Sequence, residues 1–213
     1  MRIGIVGIGD IAKKAYLPVL SNMRDIQIVP CTRNQETLDN VMSMYHLSEG
    51  YTDLDDLIKC GVDAIYVTSK TEVHYEMAKK ILEAKIPCHL DKPISMNLFE
   101  SEELVRIAKE NNTLFMIGFN RRFVPYIQEV MQYGKPDLVV YQKNRDLYPD
   151  NIRRFIVEDF VHVVDTTRFL LQDEIIDVRV QGKKIDGKLV HVVVQFITQS
   201  NQGLLIMNYL NGV

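Results

Sequence analysis

The opening stretch, Met1 to Ala12, constrains this chain more than any other: it reads M-R-I-G-I-V-G-I-G-D-I-A. A short apolar run with Ile3, Ile5 and Val6 leads into Gly7 and Gly9, and Ala12 is the third small residue, ahead of a helical pattern. A strand that runs through G-x-G-x-x-A into a helix is a dinucleotide-binding turn. Gly7 lets the chain turn tightly, Gly9 leaves a pyrophosphate room to reach the backbone, and Ala12 lets the helix lie close to the strand. The cradle of Gly7, Ile8, Gly9, Asp10, Ile11 and Ala12 then offers helix N-terminal N–H groups, and their partial positive charge, to the phosphates.

The patterning continues as alternating strands and helices. Helices are expected over residues 11–22, 34–45, 71–84 and 97–111, with strands over 26–31, 63–68, 87–90 and 113–118. Asp53 caps a short helix whose apolar face is Leu54, Leu57 and Ile58, and Val73, Met77, Ile81 and Leu82 share one face of the 71–84 helix. The runs 63–68 and 113–118 read as buried parallel strands. Such alternation predicts a parallel sheet with right-handed crossovers.

Beyond residue 119 the pattern changes to a helix over 124–131, a strand over 137–144, a polar loop over 145–154 and a helix over 157–171. Strand-like runs follow at 175–183, 189–198 and 203–210, separated by Asp186-Gly187 and Asn201-Gln202-Gly203, which predicts an antiparallel meander. The expected fold is an α/β Rossmann domain over 1–119, then an α+β domain over 120–213 with a mostly antiparallel open sheet. The last residues, Asn211-Gly212-Val213, come straight after a strand, so the second domain reads as incomplete and the chain as truncated.

The net charge of −3 supplies no basic field for nucleic acid or acidic lipid. No apolar stretch is long enough to span a membrane, and the first strand begins at residue 2. Cys31, Cys60 and Cys88 are scattered and lack zinc spacing, as expected of reduced, mostly buried thiols in a cytoplasmic protein. His46, His74, His89, His162 and His191 are likewise dispersed, and no metal site is expected.

Four constellations carry chemistry. Thr32 stands where a protein selective for NAD places an acid on the ribose 2′-hydroxyl, and Arg33 follows it; a hydroxyl beside a guanidinium suits a 2′-phosphate, so NADP(H) is favoured over NAD(H). Asp91-Lys92-Pro93 follows the 87–90 strand, where α/β sheets bind ligands, and a cis Lys92–Pro93 bond would aim Lys92. Asn120, Arg121 and Arg122 lie at the domain boundary, where the two Arg can hold anionic or polyol groups or clamp the domains through carboxylates. Glu158, Asp159 and Asp165 are four or three residues from His162, so that on a regular helix the acids orient the imidazole and make it a proton shuttle.

Together these strings resemble the Gfo/Idh/MocA family of NAD(P)-dependent oxidoreductases. The resemblance is carried by G-I-G-D-I-A, V-T-S-K-T-E-V-H from Val67 to His74, D-K-P, G-F-N-R-R-F from Gly118 to Phe123 and the helix E-D-F-V-H-V-V-D. A-Y-L-P-V-L and H-V-V-D-T are most like the MviM-like branch. The resemblance implies reversible hydride transfer between nicotinamide and a sugar- or cyclitol-like alcohol, with cofactor contacts extending to Thr68, Ser69, His74, Asp91, Lys92 and Asn120. It implies that Lys92 positions the substrate hydroxyl with Arg121, that His162 is the acid/base, and that Asp159 or Glu158 orients it. It also implies a homodimer or homotetramer formed through the second sheet.

Departures from the pattern are Asp91 for Glu, Ser69 for Pro, Glu158 for Asp and Phe160 for Gly, the last expected to narrow the pocket. They keep two alternatives open: a dinucleotide-binding protein without turnover, and a reductase for a non-sugar carbonyl or imine.

Overall fold

The computed structural model describes residues 1–146 and 149–210. Two units, Met1–Gly118 and Phe119–Val213, each carry their own core.

The first unit has strands β1 (Arg2–Val6), β2 (Gln27–Cys31), β3 (Ala64–Val67), β4 (Cys88–Leu90) and β5 (Phe115–Ile117), all parallel, in the order β2-β1-β3-β4-β5. A π-helical turn, Ala12–Tyr16, runs into α1 (Leu17–Leu20); α2 (Gln35–Met44), α3 (Leu54–Lys59), α4 (His74–Glu83) and α5 (Leu98–Glu110) follow. Asn34, Asp53 and Asn97 cap α2, α3 and α5 by accepting the N–H groups of Thr37, Asp55 and Phe99. The β-branched residues Ile5, Val29, Ile65 and Val67 are wholly buried, as expected where helices cover both faces of a parallel sheet. The 113–118 run departs from its expected burial: β5 is the outer strand among the described residues, with Leu114 72% and Met116 43% exposed. An apolar run looks the same in a central strand and at an edge, so periodicity could not distinguish them.

The second unit has β6 (Leu138–Asn144), β7 (Ile175–Ile185), β8 (Lys188–Thr198) and β9 (Gln202–Asn208) in the order β6-β9-β8-β7. The expected meander is present, β7 to β8 to β9 antiparallel, while β6 joins β9 in parallel. α7 (Ile152–Arg154) leads into a π-helical segment, Phe155–Phe160; one sheet face packs under that segment, α6 (Pro125–Met131) and α8 (Val161–Leu171), with Phe155, Val163, Leu171, Leu205 and Met207 at its centre.

Two expectations need correction here. The loop 145–154 contains α7, and its Leu147 and Tyr148 lie outside the described residues, as do Asn211, Gly212 and Val213. The helix expected at 157 is already π-helical over Phe155–Phe160, so Glu158 and Asp159 do not follow the regular 3.6-residue register onto His162. No helix among the described residues is long and apolar enough to cross a membrane.

Candidate functional site

The glycine turn is built from contacts that only glycine allows. Gly7 has φ +88°, and a Cβ there would lie 2.3 Å from Ser69 Oγ and 2.7 Å from Ser69 Cα. Its N–H donates to Cys31 O at 3.0 Å, while the Thr68 hydroxyl donates to Gly7 O at 2.7 Å. Gly9 is the opposite case: a Cβ there would meet nothing within 4 Å. Lys13 N–H donates to Gly9 O at 3.1 Å, so the N–H groups of residues 10–12 precede the first helical hydrogen bond. Open space over a bare backbone, with helix N–H groups behind it, fits a pyrophosphate. Ala12 is fully buried, Ile8 6% exposed, Ile11 half-exposed, and Asp10 pairs with Lys14 in solvent.

Thr32 and Arg33 leave the carboxyl end of β2, next to that turn. Thr32 N–H donates to Tyr51 O at 3.0 Å, and Arg33 is exposed. Asn34, the next residue, is spent on capping α2.

His74 lies between two loops of the first unit. It is 1% exposed, with Nδ1 2.7 Å from Pro93 O and Nε2 3.0 Å from Ser69 O. Each ring nitrogen faces a main-chain carbonyl, so His74 links the Ser69 loop to the Lys92-Pro93 loop. The Lys92–Pro93 peptide is cis. Asp91 N–H donates to Val67 O at 2.9 Å, and the Asp91 and Lys92 side chains are both half-buried at the carboxyl end of β4.

Beside them lies an aromatic group absent from the sequence reading: Tyr66 stacks on His89 at 4.5 Å, and Tyr16 meets both edge-on. Burial pushes the Tyr16 phenol up to about 12, with Asp91 and Tyr66 adding to it, and burial pushes the His89 imidazole below its usual value. Gly118 completes this wall, since a Cβ there would lie 3.2 Å from the His89 ring and 3.3 Å from Asp91. The signal for it was faint: Tyr66 and His89 are register partners on β3 and β4, which no local pattern reports.

In the second unit, Arg122 pairs with Asp165, which is 6% exposed, and stacks on Phe119 and Phe169 at 5.7 and 5.5 Å. Asp165 is thus held by Arg122, and Arg122 clamps its own unit. Arg122→Ala would leave a buried carboxylate unpaired; we expect a loss of about 2–3 kcal/mol in urea unfolding, partly restored by adding Asp165→Leu.

Asp159 is held as well. Lys143 and Tyr209 bond it, and Arg145 Nε lies 2.8 Å from its Oδ2. Glu158 pairs with Arg154 at 3.4 Å. Burial alone would raise the Asp159 carboxyl, but bonds from Lys143, Tyr209 and Arg145 hold it down at about 2. A carboxyl depressed on folding stabilises above its unfolded pKa and loses that contribution as pH falls through the folded one. The urea midpoint should thus fall between about pH 4 and pH 2, and less steeply in Asp159→Asn. The His162 side chain is half-buried on α8, and its carbonyl accepts the Thr166 hydroxyl at 2.8 Å. Phe160 is 2% exposed within the second core, so it fills the interior and does not narrow a pocket.

A family model described as oxidoreductase family, NAD-binding Rossmann fold, matches residues 1–119. YceM of Salmonella typhimurium, named as an oxidoreductase, is 33% identical over 178 residues, covering 82% of this chain and 57% of its own length. The myo-inositol 2-dehydrogenase of Thermotoga maritima is 26% identical over 205 residues, covering 85% of this chain and 58% of its own. The chain thus spans under three fifths of these curated relatives. A crystal structure of a Gfo/Idh/MocA family oxidoreductase from Vibrio cholerae superposes with TM-score 0.94 at 32% identity, covering 100% of this chain and 70% of that one.

Proposed function

The chain belongs to the Gfo/Idh/MocA oxidoreductase family, and from that premise we propose that it serves reversible hydride transfer between NADP(H) and a sugar- or cyclitol-like alcohol. The observation that carries this reading is the turn at Gly7 and Gly9, rigid where Ser69 packs on it and open where a pyrophosphate would lie. A bound nicotinamide supplies the hydride chemistry, and the chain's residues orient the substrate and move a proton. Lys92 holds and polarises the reacting hydroxyl, and His162 takes or returns its proton. Asp91, Thr68, Ser69 and Asn120 support the cofactor.

A sugar-like substrate is favoured by relatives named as dehydrogenases of myo-inositol and of UDP-N-acetylglucosamine. The binding-only alternative loses one of its supports, because Phe160 is a core residue. Self-association would use the outer face of the second sheet, where Leu138 and Val140 are 59% and 57% exposed.

The test is NADP⁺ reduction across a panel of sugars and cyclitols, with NAD⁺ in parallel. Turnover with at least one polyol, faster with NADP⁺, is the expected result; saturable dinucleotide binding with no turnover on any would favour the sensor alternative. The selector has its own expected outcome: Arg33→Ala weakens NADPH binding about tenfold or more, equal to about 1.4 kcal/mol, and leaves NADH binding nearly unchanged. Equal losses for both cofactors would show that Arg33 does not read a 2′-phosphate.

A further inference from the structure

The helix-facing side of β6 changes character along its length. Side chains alternate across a strand, so Val139, Tyr141 and Lys143 share one face. Val139 is buried in the second core and Tyr141 packs against it. Beyond them the same side turns cationic: Lys143 on the strand, then Arg145, whose N–H donates to Asn208 O at 2.8 Å. Arg121 reaches in from the 3₁₀ turn Asn120–Phe123 and donates to the Tyr141 hydroxyl at 3.2 Å. Asp159, from the π segment, is the carboxylate bonded to Lys143 and Arg145.

The Lys143 and Asp159 side chains are only 13% and 16% exposed. Lys143, largely out of water, and Arg145, 47% exposed, thus meet at Asp159, while Arg121 donates to the Tyr141 phenol on the same strand face. Burial pushes the Lys143 ammonium down, the bond and charge of Asp159 pull it back up, and Arg145 and Arg121 push it down again. Like charges brought close out of water repel strongly, and an added anion relieves that repulsion. Guanidinium groups also bind carboxylate and phosphate through paired hydrogen bonds. Asp159 stands three residues before His162 on one continuous helical run, so this cluster belongs to the same unit as the nominated acid/base.

We propose that Arg121, Lys143 and Arg145 form an anion subsite, and that the polyol this protein takes carries a carboxylate or phosphate group. The inference rests on the proposed oxidoreductase reading for its polyol but not for its anion. The test compares binding of D-glucuronate, D-glucose 6-phosphate and D-glucose to the full chain by calorimetry at matched ionic strength. Wild type, Lys143→Gln and Arg121→Gln are used, with far-ultraviolet dichroism confirming their fold and NADPH binding measured alongside.

At least one charged probe should bind tenfold or more tightly than glucose, with the preference reduced tenfold in either variant and weakened by salt. Which charged probe prevails tells carboxylate from phosphate. The proposal is overturned if glucose binds as tightly as both charged probes, if none of the three binds, or if both folded variants keep the full preference. Failure of NADPH to bind would instead count against the oxidoreductase reading, so the two failures are distinguishable.

Discussion

Replacing Gly9 with Asp should weaken dinucleotide binding by at least about 100-fold, equal to about 2.8 kcal/mol, and leave stability within about 0.5 kcal/mol of wild type. Both halves follow from one observation. A Cβ at Gly9 would meet no protein atom within 4 Å, and Gly9 is not among the glycines with positive φ, so the backbone accepts a side chain there. The room it fills is the pyrophosphate's, and the added carboxylate repels phosphate. Gly7→Ala is the contrasting variant. With φ +88° and Ser69 Oγ 2.3 Å from the new Cβ, it strains backbone and packing together. We expect Gly7→Ala to cost about 1–3 kcal/mol in urea unfolding. If Gly9→Asp binds NADPH like wild type, the turn does not hold a dinucleotide.

The second large effect is catalytic. On a substrate identified by the polyol panel, Lys92→Ala and His162→Ala should each lower kcat by about 10²–10⁴-fold, the range for a lost general acid or base. His162→Ala should bind NADPH as wild type does. His162→Ala should also flatten the pH dependence of kcat/KM, because the proton acceptor is gone. Full turnover in both variants would remove Lys92 and His162 from the mechanism. His74→Ala behaves differently: losing the bridge between Ser69 O and Pro93 O should lower stability as well as activity.

What was legible in the sequence was mostly local. The Gly7–Gly9 turn, the Asp53 cap, and the meander punctuated by Asp186-Gly187 all depend on residues a few positions apart, and all are in the structure. What was not legible depends on distant partners. The parallel pairing of β6 with β9 joins Leu138 to Gln202, across the intervening α7, π-helical segment, α8 and two strands. The edge position of β5 is set by which strands lie beside it, and its own apolar residues do not encode that.

The acids around His162 show the limit most clearly. Helical spacing places Asp159 and Asp165 near it in sequence, but no local pattern names the partners the structure adds: Arg122 for Asp165, and Lys143, Arg145 and Tyr209 for Asp159, the last of these 50 residues away. The π-helical segment compounds this, because one altered turn shifts which side chains align, and no composition signal marks it.

The most direct test of the central claim is a titration of the full chain with NADPH and NADH, following nicotinamide fluorescence, for which the absence of Trp keeps the background low. Saturable binding of both, tighter for NADPH, is the predicted result. Binding of neither would contradict the dinucleotide site at Gly7 and Gly9, and tighter binding of NADH would contradict the part given to Thr32 and Arg33.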